Sequence, residues 1–437
     1  MNGRCISLIV CLLLVLSVLM IPVVLYAEEY SLDDLYRIAL ERAEKIKLSE
    51  EDLYIAKTGK EKALSLLLPR LSAFGNYAKY TEEKYNAMGT LLQPNTATSW
   101  GLRADETLSL SGRELTALNI SRENIVKSQY DLYAIREVYL LSVASAYYDV
   151  LRAKKSLEIT ESNLERLTKY RDAAEKRLKV GEVTKTVLLR AEGELSGARS
   201  DHVKAKNALE LAKAVLARAV GIGGDFQIKE SPSEDINISP ETSFQELAYK
   251  GRADLKSLEV QKRMAEEQVQ YTKGAFWPTL SVSGAYVSAD QSPSTQTLVQ
   301  ESTYGLLSLN FPFFEGGLRR AEVKEARAKE RQSALIYEDY KKSIGIEVQS
   351  AYLDLVTQKG ILKFLEDQVV YARDNYNAVA KQFEFGLAQS LDVMDANTLL
   401  VTSERNLAEA GYNYQAAIIK MKKATGTFLK TITGDQS

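Results

Sequence analysis

The sequence has few of the residues that build catalytic and metal sites. It contains a single histidine, His202, and two cysteines, Cys5 and Cys11, both near its start. A disulfide framework or a thiolate metal site is therefore excluded for the rest of the chain. His202 stands alone and no nucleophile or phosphate motif is present, so we expect no enzyme activity, no cofactor and no metal.

An excess of positive charge is also missing. The formal net charge is −2 over 437 residues, whereas a nucleic-acid surface needs a basic excess. We expect no nucleic-acid partner.

Long apolar runs are absent after the first 27 residues. Arg4, the apolar stretch 6–25 and the small residue Ala27 predict a secretory signal peptide over residues 1–27. An uncleaved membrane anchor is the alternative, because the stretch is long enough to span a bilayer. Export from the cytoplasm follows in either case.

The second half of the chain resembles the first. The motif Ala146-Tyr-Tyr-Asp149 recurs as Ala351-Tyr-Leu-Asp354, 205 residues later, and Gly181 recurs as Gly386 at the same offset. Each half predicts a helix, a strand hairpin, a very long helix, a tight turn and another helix. We therefore divide the chain into a first repeat (28–222), a linker (223–242), a second repeat (243–427) and a C-terminal tail (428–437).

Each repeat holds a pair of segments with strand character. Leu280, Val282 and Tyr286 alternate with the polar residues Thr279 and Ser281, as on the strands of a membrane barrel. Four strands cannot close a barrel, so a membrane sheet would require two or three chains. A small soluble sheet at the end of a helical rod is the alternative.

The long helices are predicted over residues 113–180 and 318–385, which contain no proline. Apolar residues step by three and four along them, as in a coiled coil. After each turn a second stripe alternates large and small residues, beginning Leu188, Ala191, Leu195 in the first repeat and Val393, Ala396, Leu400 in the second. Gly181 and Gly386 are predicted to end the long helices in the left-handed conformation, which gives two antiparallel helical hairpins.

Taken together, these features resemble the TolC-type outer membrane efflux proteins. The duplication, Pro69 and Pro278 before the strands, and the stretch Phe311-Pro-Phe-Phe-Glu-Gly-Gly317 carry the resemblance. It implies a membrane α+β fold: a homotrimer with a 12-stranded β-barrel in the outer membrane, continuous with a long periplasmic coiled-coil tunnel. Its implied function is a passive exit duct of a tripartite efflux or type I secretion system.

The resemblance also implies a gate at the periplasmic end, lined by acidic residues after the second turn. Asp392 and Asp395 match that position, and threefold symmetry would form two carboxylate rings that favour cations. The alternative is that Asp392 stabilises the helix N-terminus and that Asp395 is only solvated.

The family's polar lock between hairpins is poorly matched. Phe383, Ala388 and Val187 occupy its positions. Hydrophobic packing would have to replace it, or new pairs between Lys185 or Arg190 and the two aspartates.

The resemblance implies that the turn tips dock to a periplasmic adaptor, which connects the duct to an inner membrane pump. The predicted tip residues are Val180, Gly181, Glu182, Val183, Thr184, Phe385, Gly386 and Leu387. A helix cap that needs apolar cover is the alternative for each of them. A non-porous periplasmic coiled-coil protein remains the competing function.

Overall fold

The structure, a computed structural model, describes residues 28–223, 226–230, 234–235 and 240–434. The predicted signal peptide 1–27, the last three residues and much of the linker lie outside the described residues. The helices of the described part are α1 (Leu32–Arg42), α2 (Glu44–Ser65), α3 (Arg113–Lys179), α4 (Lys185–Val220), α5 (Glu241–Gly251), α6 (Ala253–Lys273), α7 (Leu318–Glu384), α8 (Ser390–Ala424) and α9 (Phe428–Thr433). The strands are β1 (Glu28–Tyr30), β2 (Arg70–Lys79), β3 (Lys84–Tyr85), β4 (Leu91–Gln93), β5 (Thr96–Ser109), β6 (Phe226–Ile228), β7 (Thr279–Ser292) and β8 (Glu301–Asn310).

The two long helices, α3 and α7, dominate the molecule. Each has 67 residues and is therefore about 100 Å long. Both begin at the predicted residue and end one residue before the predicted one. No helix in the described ranges is both long enough and apolar enough to cross a membrane.

The helices lie side by side in a single layer. Near the sheet the order is α2, α3, α6, α7, and near the turns it is α4, α3, α8, α7. Each long helix therefore passes from one four-helix row into the other. α7 forms one border of both rows, and α2 and α4 form the opposite border.

The predicted stripes of large and small residues form the contacts within each hairpin. No member of either stripe after the turns is exposed, and Ala191, Leu195, Val393 and Leu400 are buried. Alanine at alternate positions lets neighbouring helices approach closely, because it carries no side chain beyond Cβ. The predicted coiled-coil seams are confirmed within each hairpin.

One antiparallel sheet joins the two halves of the chain in the strand order β2, β5, β7, β8. β5 and β7 pair over their full 14 residues, whereas β2 and β8 each pair over ten. β2 leaves four residues of β5 uncovered at the helix end, and β8 leaves four residues of β7 uncovered at the loop end. The two border strands are thus displaced in opposite directions along the sheet.

The faces of this sheet differ in polarity. Directly paired residues of antiparallel strands share a face. One face therefore carries eight of the ten large apolar side chains that are exposed on these strands: Leu71, Tyr77, Trp100, Leu102, Leu108, Val282, Leu307 and Leu309. The other face presents polar residues such as Ser72, Asn76, Arg103 and Ser283. The alternation predicted for β7 is confirmed.

Smaller elements surround the middle of the helical layer. β1 pairs in parallel with β6, and α1 and α9 pack on α3 around Tyr36, Tyr147 and Phe428. The residues predicted as a C-terminal tail include the short helix α9, and β6 lies in the predicted linker.

A buried ion cluster fastens α6 to α7 and α8. The guanidinium of Arg252 is almost fully buried and binds Asp254 (2.6 Å) and Glu347 (2.6 Å), and Lys423 binds the same Glu347 (2.6 Å). These opposite charges hold the pKa of Asp254 and of Glu347 below their usual values, against the effect of burial. The cluster therefore stays fully ionised at neutral pH.

We predict that Glu137 makes the stability of the helical region depend on pH. Its buried carboxylate accepts a hydrogen bond from the backbone N–H of Leu429 (3.3 Å), and burial raises its pKa to about 7. The Glu137 carboxyl group therefore binds its proton more tightly in the folded protein than in the unfolded chain. The free energy of unfolding should therefore fall as pH rises from the ordinary value of 4.5 to about 7, by at most about 3 kcal/mol.

The test is the Tm of the detergent-solubilised protein as a function of pH. Glu137→Gln keeps an oxygen for Leu429 and removes the titration, so its Tm should exceed that of the wild type at alkaline pH and match it at acid pH. Glu158→Gln removes an exposed carboxylate of the same helix and is the control. An unchanged pH profile in Glu137→Gln would contradict the assignment.

Candidate gate and docking site at the hairpin tips

Both helical hairpins turn through a glycine in the left-handed conformation. Gly181 has φ +79° and Gly386 has φ +75°, as predicted. At the first turn the N–H of Gly181 bonds to the carbonyl of Leu178 (3.0 Å) and the N–H of Glu182 bonds to the carbonyl of Arg177 (2.9 Å). This Schellman arrangement closes the last helical turn. No atom of the described part of the chain lies within 4 Å of a Cβ added at Gly181, so the backbone angle, rather than space, requires glycine there.

The predicted tip residues differ in exposure. Val180, Phe385 and Leu387 are 70%, 78% and 78% exposed. Val183 is half-buried, and Thr184 is the N-cap residue that precedes α4. Each turn therefore exposes at least one large apolar side chain to solvent.

Glu182 is held by an ion pair with Arg177 (3.0 Å). The first tip is consequently braced by its own long helix.

The two predicted gate aspartates are exposed near the start of α8. The Asp392 carboxylate accepts a hydrogen bond from the backbone N–H of Gln389 (2.9 Å), completing a capping box. The structural role weighed for Asp392 is thus confirmed, although its carboxylate stays open to solvent. Asp395 lies three residues on and shares the exposed side, while Val393 and Ala396 are buried.

The alternative charged lock does not form within one chain. Among the described residues, no ion pair joins Lys185 or Arg190 to Asp392 or Asp395. The pairs considered from the sequence are therefore not brought together here.

An apolar cluster near the tips contains all three positions at which the polar lock is missing. Phe383 is buried in it, and Val187 and Ala388 are partly buried against it. We call this group the tip cluster; its buried members are Leu167, Tyr170, Ala174, Ala191, Leu195, Ala198, Phe383, Val393 and Met394. It draws side chains from α3, α4, α7 and α8, so hydrophobic packing, one of the two alternatives that the sequence left open, joins the two hairpins.

Two polar contacts at the tips were not predicted. Arg177 donates from Nη1 to the main-chain carbonyl of Phe383 (2.6 Å), and its guanidinium lies 4.8 Å from the Phe383 ring centroid. The Tyr170 hydroxyl donates to Oγ of Ser390 (2.6 Å). Burial raises the pKa of Tyr170, so this hydroxyl remains a donor. The only available signal was a difference between the repeats, because Gln382 stands where the first repeat has Arg177.

The described residues hold no group of three or more His, Cys, Asp or Glu side chains placed to bind a metal ion. His202 is half-buried on α4 and lies 3.6 Å from Glu161 of α3. It takes part in the contact within the first hairpin.

Known proteins share the sequence features of this chain. A sequence model of the family described as outer membrane efflux protein matches residues 35–222 and 245–427. The chain is 24% identical over 381 residues to the outer membrane protein TolC of Escherichia coli (strain K12), covering 84% of this chain and 76% of TolC. It is 23% identical over 374 residues to the cation efflux system protein CusC of the same strain, covering 82% of this chain and 80% of CusC.

A solved structure shows the same fold. The Campylobacter jejuni CmeC outer membrane channel superimposes with a TM-score of 0.81 at 18% identity, covering 91% of this chain and 86% of CmeC. Because the family match covers most of the chain, the chain belongs to the outer membrane efflux protein family and is a protein of the outer membrane.

Proposed function

We propose that three copies of the chain form a passive exit duct. The sheets would close into a 12-stranded barrel in the outer membrane, and the helices would form a tunnel through the periplasm. An adaptor would dock at the tips and open them, and an inner membrane pump would supply the energy. The main support for this proposal is that the sheet and both rows of helices share the same two borders. β2, α2 and α4 form one border, and β8 and α7 form the other.

The free strands at these borders support ring closure. Among the residues that the structure describes, β2 and β8 each pair on one side only, and unpaired backbone groups are not tolerated in lipid. Strand directions alternate from β2 to β8, so β8 of one chain would meet β2 of the next chain in antiparallel fashion. Two chains would give eight strands and almost no lumen, whereas three give twelve and a wider one.

Both borders of the helical rows expose apolar surface. Large apolar side chains are exposed on α2, α4 and α7: Leu48, Tyr54, Ile55, Val203, Leu211, Val215, Ile346, Leu353, Phe364 and Tyr371. Exposed apolar surface of this extent is typical of an interface. Since the two borders are different surfaces, their contact is head-to-tail and generates a ring.

The polarity of the sheet fits a barrel wall. The apolar face of the sheet would contact lipid, and the polar face would line the lumen. Aromatic residues also gather where the sheet meets the helices, with Phe276, Trp277, Phe313 and Phe314 exposed. Such residues are favoured at a membrane interface.

The tips supply the docking and gating surfaces. Threefold symmetry would arrange six turns in a ring, each with an exposed apolar point at Val180 or at Phe385 and Leu387. The Asp392 and Asp395 carboxylates would form two rings just inside that end. Carboxylate rings favour cations.

We predict that the apolar face of the sheet rejects charge. Leu102→Lys places an ammonium group toward lipid and should lower barrel stability by about 2–4 kcal/mol. Ser99→Lys, on the opposite face of the same strand, should be tolerated. The measurement is the yield of heat-resistant trimer in outer membrane fractions. Equal yields for the two variants would contradict the assignment of the faces.

We predict that the two aspartates set ion selectivity. Asp392→Asn/Asp395→Asn removes both charges while keeping an acceptor for the Gln389 N–H. In a planar bilayer with a KCl gradient, the cation-selective reversal potential of the wild type should move toward zero.

Glu41→Gln/Glu44→Gln removes two exposed charges from the end of α1 and the start of α2, away from the hairpin tips, and should leave the reversal potential unchanged. Unaltered selectivity in the aspartate variant would contradict the assignment of the gate to these two residues, but it would leave the proposed duct unaffected. Failure of folded wild-type protein to insert at all would favour the non-porous rod.

We predict that acidic residues at the second tip abolish docking. In the native host, Phe385→Asp/Leu387→Asp should stop the adaptor from co-purifying with the duct, because apolar contact area is replaced by charge. Met88→Asp makes the same kind of change at an exposed residue of the strand loops and is the control. Undiminished adaptor recovery from the tip variant would place docking elsewhere.

A further inference from the structure

The charged side chains on the polar face of the sheet are confined to one place. On the described strands β2, β5, β7 and β8, only Arg70, Arg103 and Asp105 carry a charge on this face. Asp105 is paired directly with Arg70, and Arg103 lies two residues from Asp105 on the same strand. The two arginines are therefore diagonal neighbours, about 7–8 Å apart between Cα atoms.

The rest of this face is neutral. Toward the helices it continues with hydroxyl groups, such as those of Thr107 and Ser281, which lie 2.9 Å apart. Toward the loops it is lined mainly by small residues, such as Ala78, Ala97 and Ala289. The charge therefore forms a narrow band near the helix end of the sheet.

The two arginines lie on the polar face rather than the apolar one. An arginine near a membrane surface can extend toward lipid headgroups, but here the apolar neighbours Leu71 and Leu102 occupy the opposite face. In the proposed barrel, Arg70 and Arg103 would therefore extend into the lumen.

Most of the hydrogen-bond donors of these guanidinium groups are open. Asp105 accepts from Nε of Arg103 (2.7 Å), which is the one ion pair of Arg103 in the described part of the chain. Its two terminal nitrogens point away from that pair, and half of its side chain is exposed (53%). Arg70 is exposed as well, and among the described residues it has no ion pair. Such planar forks match the geometry of carboxylate, sulfate and phosphate oxygens.

Threefold symmetry would repeat this band around the lumen. Two arginines and one aspartate per chain leave a formal net charge of +1, and three chains leave +3. A closed sheet of twelve strands has a radius of roughly 12 Å, and an arginine side chain extends several ångströms inward from it. Since the Debye length at physiological salt is about 8 Å, every path through the barrel would pass within the field of a guanidinium group.

From this band we infer that the barrel contains a binding ring for multivalent oxyanions, formed by Arg70 and Arg103 of three chains. We call it the arginine ring. Its ligands are small molecules or ions that carry several carboxylate, sulfate or phosphate oxygens, because rings of basic side chains favour anions. Asp105 orients Arg103 and weakens the field of the ring. The inference rests on the proposed threefold assembly and adds a ring whose charge is opposite to that of the aspartates at the tips.

The test is the equilibrium binding of inorganic tripolyphosphate to the detergent-purified protein, measured by titration calorimetry in dilute KCl without divalent metal ions. Light scattering first establishes whether each sample is a trimer. Arg70→Gln/Arg103→Gln changes the formal charge of the ring from +3 to −3, and Asp105→Asn raises it to +6. Lys45→Gln/Lys47→Gln is the matched control, because it removes two exposed cations at the start of α2, about 30 Å along that helix from the sheet.

We expect the arginine variant to raise the Kd about tenfold or more, and Asp105→Asn to lower it by a factor of about three, because both changes act on the same field. The control should keep the Kd within a factor of about two. Higher KCl should weaken binding to the wild type, since salt screens the ring. The tighter binding of Asp105→Asn is a result that damage to the fold cannot produce.

An unchanged Kd in the arginine variant would overturn the inference, as would Asp105→Asn protein that binds no more tightly than the wild type. A trimeric wild type that binds no tripolyphosphate would also overturn it and would leave the proposed duct intact. Folded wild-type protein that forms no trimer would instead refute the threefold assembly itself.

Discussion

The unpaired backbone groups along β2 and β8 are the constraint on which the proposed assembly depends. A strand border in lipid has no water to satisfy its N–H and C=O groups, so the sheet requires a neighbour on each side. The helical layer has the same two borders as the sheet, because α2 leads into β2 and β8 leads into α7. Closing the sheet would therefore also bring α7 of one chain against α2 and α4 of the next.

Within the chain, a different interaction decides how the helices behave. The stripes of alternating large and small residues permit close approach within each hairpin, and the tip cluster brings α3 against the end of α7 and the start of α8. Arg177 exploits this proximity by binding a main-chain carbonyl, which no substitution of the Phe383 side chain can remove. The residues expected for a polar side-chain lock are replaced by Phe383, Ala388 and Val187, but a contact to the backbone is present.

The sequence predicted the long helices and strands well, but it predicted poorly the contacts between residues that are distant in the sequence. Proline-free periodic stretches bounded by Gly181 and Gly386 predicted the ends of α3 and α7 to within one residue, because these boundaries are set locally. The alternation around Val282 predicted both faces of β7 for the same reason. Arg177, by contrast, binds an atom common to every residue, so its partner leaves no trace in the sequence. The cluster around Arg252 combines residues from three helices, and only the folded chain reveals it.

The displacement of β2 and β8 along the sheet has a geometric consequence for a closed ring. If the ten paired positions of β8 met those of the next chain's β2 in full, the register would advance by four residues at each joint. Three such joints give a shear equal to the number of strands. With about 3.3 Å per residue and about 4.8 Å between strands, that shear inclines every strand by roughly 35° to the barrel axis. The ends of two border strands would thus set the slope of the wall and, with it, the width of the opening.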